Sequence, residues 1–85
     1  MIALLVVLLI LILTSKPDTD PQTVIASTNN LMKDEAYDDA RLGLEPALAV
    51  NPDDIDLLLL HAEALAGLHD LKAAERDYDK IRKLA

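Results

Sequence analysis

The sequence predicts an all-α chain, an N-terminal apolar helix followed by two antiparallel helix pairs. Three observations carry this expectation. Residues 1–13, MIALLVVLLILIL, hold no polar side chain, whereas from Asp20 onward the chain is amphipathic and acidic. Between Val24 and Ile81 the apolar residues recur at three- and four-residue spacing, the period of a helix face. The breaks between these stretches carry Asp, Asn, Pro and Gly, the residues of caps and turns. With only two Gly and four Pro, a turn-rich all-β fold has too few corners. The expected boundaries are an anchor or assembly helix over 1–15, a linker over 16–20, and a helical domain over 21–85.

The apolar run admits three readings. A helix of 13 residues rises about 20 Å, short of the roughly 30 Å hydrocarbon core of a bilayer. Thr14, Ser15 and a snorkelling Lys16 extend it, so a short membrane span is the first reading. Its inward positions would be Ile2, Leu5, Leu9 and Ile12. A signal peptide fits by length, but no Lys or Arg precedes the run and no small-x-small cleavage site follows it. The third reading is a helix buried in an assembly, such as the core of a filament. Lys16 weakly favours a cytoplasmic position for residues 16–85, and the side stays open.

Each later element has its own local reason. Asp20-Pro21 supplies an N-cap and a first-turn proline, and Val24, Ile25, Thr28, Leu31 and Met32 form one stripe behind them. A second helix is expected from Glu35 to Val50, with Tyr37, Ala40, Leu44, Ala47 and Leu48 inward. Pro46 cannot donate to the carbonyl of Leu42, so a kink or a weak C-terminal half is expected there. Asp53 or Asp54 caps a third helix, Ile55 to Leu68, whose block Leu57 to Leu60 implies contacts on more than one side. Gly67-Leu68-His69-Asp70 reads as a tight turn. Asp70 caps a fourth helix, from Leu71 to about Lys83, with Leu71, Ala74, Tyr78 and Ile81 as its buried stripe. Lys80, Arg82 and Lys83 sit where the helix dipole favours cations.

The helix pairs recur. Aligning the chain on Pro52 gives units of 34 residues, Pro21 to Asp54 and Ile55 onward. Small residues then coincide at Thr28 and Ala62 and at Ala40 and Ala74. Large ones coincide at Leu31 and Leu65 and at Leu44 and Tyr78. Ala47 aligns with Ile81, and the string Ala-Val-Asn-Pro-Asp-Asp closes the first unit. This pattern resembles the tetratricopeptide repeat family over residues 20–85. It departs from the family at Val24 and Leu58, where Trp is common, and at Pro46.

The resemblance implies binding of a protein rather than catalysis. It carries the family's groove onto Ile25, Asn29, Met32 and Lys33 of the first unit, with Gln22, and onto Asp56, Leu59 and Glu63 of the second, with Ala66 and Gly67. A carboxylate clamp of the kind some relatives use is not expected, because Ile25 and Leu60 stand where it needs Lys and Asn. Two repeats are fewer than the three or so that bury a solenoid's faces, so an exposed end covered by a partner or a second copy is expected.

Composition narrows the functions further. The net charge is −7, which disfavours nucleic acid. The charge is uneven: residues 21–71 carry −8 and residues 72–85 carry +2. Ends of opposite sign can stack head to tail into rings or filaments. There is no Cys, hence no thiol chemistry. Asp53, Asp54 and Asp56 lack the Gly and distal Glu of a calcium loop. His61 and His69 are separated by a turn, and His61 reads as a structural histidine. No phosphate loop, nucleophile elbow or catalytic carboxylate pair is present. The expectation is a non-enzymatic scaffold subunit with no cofactor and no evident small-molecule substrate. It would be held in a membrane by residues 1–15 and bind a neighbouring protein. The alternative is a self-assembling filament subunit with the apolar helices in its core.

Overall fold

The computed structural model describes residues 18–85, and the expected apolar helix, with Ile2, Leu5, Leu9 and Ile12, lies outside them. Four α-helices follow one another: α1 Pro21–Lys33, α2 Tyr37–Val50, α3 Ile55–Gly67 and α4 Leu71–Leu84. There is no strand among the described residues. α1 packs on α2, α2 on α3, α3 on α4, and α1 also on α3. α4 touches α3 alone.

Every bound of α1 and α2 reappears 34 residues later in α3 and α4. The local chemistry recurs with it. Asp20 caps α1 by accepting from the Thr23 N–H at 3.1 Å, and Asp54 caps α3 by accepting from the Leu57 N–H at 3.1 Å. Both satisfy donors that a helix leaves unpaired at its start. α1 and α3 end in the same Schellman turn. Ala36 N–H donates to the Leu31 carbonyl at 2.9 Å and Glu35 N–H to the Met32 carbonyl at 3.1 Å. Asp70 N–H and His69 N–H repeat this on Leu65 and Ala66, at 2.9 and 3.0 Å. The left-handed residue of each turn is Glu35 (φ 57°) or His69 (φ 64°).

Several boundaries differ from expectation for these reasons. α2 begins at Tyr37 and not at Glu35, because Glu35 occupies the left-handed position. α3 ends at Gly67, and α4 runs on to Leu84. α2 continues unbroken through Pro46. Gly67 is the last residue of α3 and has no positive φ. Its smallness serves a different purpose: a Cβ there would lie 2.6 Å from the Tyr37 ring, which packs flat against this end of α3.

The core is built from short aliphatic side chains. Val24, Leu44, Ala47 and Leu57 form its centre, with Ile25, Leu48 and Leu60 against them. Leu44 and Leu57 are fully buried, and each contributes about 1.5–3 kcal/mol through burial. Ala40 and Ala62 have no exposed surface, and Ala74 is 3% exposed, so helices approach closely there. Asn51 ties the start of the domain to the end of α2. Its side-chain amide donates to the Thr19 carbonyl at 3.1 Å and to the Ala47 carbonyl at 3.0 Å.

The repeat exposes one local inconsistency. Asp70 caps α4 by accepting from the Ala73 N–H at 3.3 Å, whereas its counterpart Ala36 offers α2 no side-chain cap. Replacing Ala36 with Asp should therefore stabilise the chain by about 1 kcal/mol, seen as a higher denaturant midpoint with an unchanged slope. The two glycines should respond in opposite directions. Gly67→Ala should cost about 1–3 kcal/mol because the Tyr37 ring must move. Gly43→Ala, with nothing within 4 Å of the added carbon, should add about 0.5–1 kcal/mol. The same denaturation measurement checks both.

Candidate protein-binding surfaces

The residues expected to bind a partner lie on α1 and α3, which touch each other. On α1, Asn29 and Lys33 are exposed, while Ile25 and Met32 are half-buried. Ile25 packs its inner side against the core cluster. On α3, Asp56 and Glu63 are exposed and Leu59 is 41% exposed. Each set follows three- and four-residue spacing, which keeps it on one side of its helix. Gln22 is exposed too, and Ala66 and Gly67 are half-buried. The surface is an apolar middle of Ile25, Met32 and Leu59, flanked by two carboxylates, an amide and one ammonium. Such a mixture fits a peptide or a helix with both apolar and polar contacts.

Leu59 is also where the apolar block of α3 divides. Leu57 and Leu58 are buried, Leu60 is half-buried, and Leu59 faces outward. The expectation of contacts on several sides holds for three of the four.

The expected buried stripe of α4 is corrected. Ala74 is 3% exposed, but Leu71 is 66% exposed and Tyr78 39% exposed. Ile81 is half-buried. Their counterparts on α2 are covered by α3, and among the described residues no helix stands in that place on α4. The helical period shows which residues share a stripe, and it is silent on whether a neighbour arrives to cover it.

A shallow cleft of about 220 Å³ lies between α3 and α4, lined by His61, Leu65, Ala73, Arg76 and Asp77. His61 Nδ1 and Asp77 Oδ2 are 2.5 Å apart, and both side chains are more than four-fifths buried. His61 Nε2 is buried without a hydrogen-bond partner. A carboxylate-oriented imidazole of this kind fixes the register of the two helices. The lining offers no hydroxyl or thiol. Asp77 was not singled out by sequence spacing, because the pair spans two helices and 16 positions.

The remaining charged contacts are exposed and stabilise little. Arg41 joins Asp38 at 2.8 Å and Glu45 at 2.7 Å along α2. These carboxylates, Asp38 foremost, hold its guanidinium still more firmly charged than usual. Lys80 reaches Asp53 at 3.5 Å, and Arg82 pairs with Asp79, where an Asp79–Lys83 pair was expected. Among the described residues no group of three or more His, Asp or Glu side chains could hold a metal ion. No helix among them is long and apolar enough to cross a membrane.

No family model matches this chain, and neither the curated proteins nor the solved structures yield a match.

The His61–Asp77 pair makes a specific forecast. Either single change, His61→Leu or Asp77→Leu, leaves one buried polar partner unsatisfied and should cost about 1–3 kcal/mol. The double change should cost less than the sum of the two. The coupling in a double-mutant cycle, measured by urea unfolding, should be on the order of 1 kcal/mol or more.

Proposed function

We propose that this chain is a non-catalytic protein-interaction subunit whose residues 21–85 form two tetratricopeptide-type repeats. The observation that carries the reading is the recurrence at 34 residues. It extends beyond helix bounds to the Asp20 and Asp54 caps, the left-handed residues Glu35 and His69, and the buried small residues Ala40 and Ala74. A repeat period that reaches the caps and turns marks a stacked unit and not four independently placed helices. Within that unit each three-residue connection joins two packed helices into a hairpin. The face shared by α1 and α3 is the binding surface: Ile25, Asn29, Met32, Lys33, Asp56, Leu59 and Glu63.

The thirteen apolar residues at the start of the sequence support membrane attachment of the subunit. An uninterrupted run of that kind is costly to leave in water. The sign change between residues 21–71 and 72–85 favours a second reading, a self-assembling filament subunit with the domains stacked around an apolar core.

Site-specific photo-crosslinking in the native cell tests these readings. A photoreactive residue at Leu59 or Asn29 should capture one defined polypeptide in the membrane fraction, and one at exposed Ala49 on α2 should not. Deleting residues 1–15 should release the chain from that fraction. Crosslinks equally strong from Ala49, or none from Leu59 and Asn29, would discard the α1/α3 surface. Crosslinks only between copies, with uniform fibres, would establish the filament.

A further inference from the structure

The repeat shows what each face of a unit packs against, and so identifies a face that is complete in α2 and open in α4. On α2 the face toward α3 consists of Tyr37, Leu44, Ala47 and Leu48. It is covered by α3, whose Leu57 and Leu60 join the Leu44 cluster and whose Gly67 receives the Tyr37 ring. Thirty-four residues on, the same face of α4 reads Leu71, Tyr78, Ile81 and Arg82. Leu44 and Ala47 have no exposed surface, yet Tyr78 is 39% exposed and Leu71 is 66% exposed.

The opposite end of the array differs in kind. The covering stripe of α3 is Leu57, Leu60, Ala64 and Gly67, spaced to lie on one side of the helix. Its counterparts on α1 are Thr23, Ala26, Asn30 and Lys33, all exposed. The α1 end is finished with polar and small side chains, and the α4 end is apolar.

We infer that the open face of α4 is a docking site for a single amphipathic helix of another polypeptide, built like the covering side of α3. That helix carries Leu opposite Tyr78 and Ile81, a Gly or Ala that accepts Leu71, and acidic residues on its flanks. The small residue follows from the Tyr37 ring on Gly67, the acidic ones from Arg82, Lys72 and Lys83 on and beside the face. This rests on the repeat architecture proposed above and not on the α1/α3 surface.

Two other occupants fit less well. A second copy stacked head to tail would lay Leu71 and Tyr78 on Thr23 and Asn30, with Arg82 toward Lys33. A second copy meeting α4 on α4 about a two-fold axis would bring Lys72 and Lys83 of each chain together, a like-charge contact. The chain's own run over 1–13 has no acidic residue for Arg82, Lys72 and Lys83.

The probe is a synthetic peptide of residues 51–70 carrying Leu58→Gln, Ala62→Gln and Leu65→Gln. These changes keep the stripe Leu57, Leu60, Ala64 and Gly67 and make the other side polar. It is titrated into the full chain in mild detergent, followed by amide chemical shifts. Shifts should concentrate on residues 71–82, and affinity should fall about tenfold or more with Leu71→Glu or Tyr78→Glu, as for a central interface anchor. Both positions are exposed enough that helix content by circular dichroism should hold. The charge-reversed variant Arg82→Glu should weaken binding and flatten its salt dependence. No binding, or binding that Leu71→Glu and Tyr78→Glu leave unchanged, overturns the site. Concentration-dependent self-pairing abolished by those same changes assigns the face to a second copy and overturns the partner. Crosslinking at Leu59 reports on the other surface, so the two failures are distinguishable.

Discussion

The fold depends on α3 being apolar on several sides at once. It is the one helix that touches all three others. Leu57 enters the cluster of Val24, Leu44 and Ala47, while Leu58, Ala62 and Leu65 are buried as well. Ala62 and Ala64 are fully buried, and the absence of long side chains there lets neighbouring helices come close. Without Phe or Trp, close approach of short side chains is how this chain reaches a dense interior. Everything polar on α3 is confined to the narrow outward strip that remains, where Asp56, Leu59 and Glu63 stand.

This centrality also explains where specific contacts sit. Tyr37 lies on the C-terminal end of α3, and Asn51 bridges from the end of α2 to Thr19 before α1. His61 and Asp77 join α3 to α4 in their half-buried cleft. Apolar burial is non-directional and would tolerate sliding of one helix past another. Each of these contacts fixes a position along the axis. The domain combines a non-specific aliphatic interior with a few directional pins at its edges.

The two ends of the array follow from the same residues. A unit in a linear array needs one face to receive the preceding unit and one to offer to the next. α1 replaces the receiving leucines with Thr23, Ala26 and Asn30, while α4 keeps the offering side apolar at Leu71, Tyr78 and Ile81. The asymmetry gives the domain a direction for association, and it is independent of the side that α1 and α3 present to solvent.

Much of this was legible in the amino-acid order. Helix content, the Asp20, Asp54 and Asp70 caps and the 34-residue period are local properties. They depend on spacing, on capping oxygens and on backbone propensity, all of which operate within a few residues. The exposed strip on α1 and α3 was legible too, since polar residues at helical spacing mark the solvent side. Other features required the assembled structure. The left-handed placement of Glu35, and with it the later start of α2, came from the Schellman turn closing on Leu31 and Met32. Gly67 earned its place through a ring 30 positions away in the chain, and His61 found Asp77 across a helix interface. Whether an apolar stripe is buried was decided last, because periodicity describes one helix and burial needs a second one. Leu44 and Tyr78 occupy the same place in their units, and only the arrival of α3 beside α2 separates their environments.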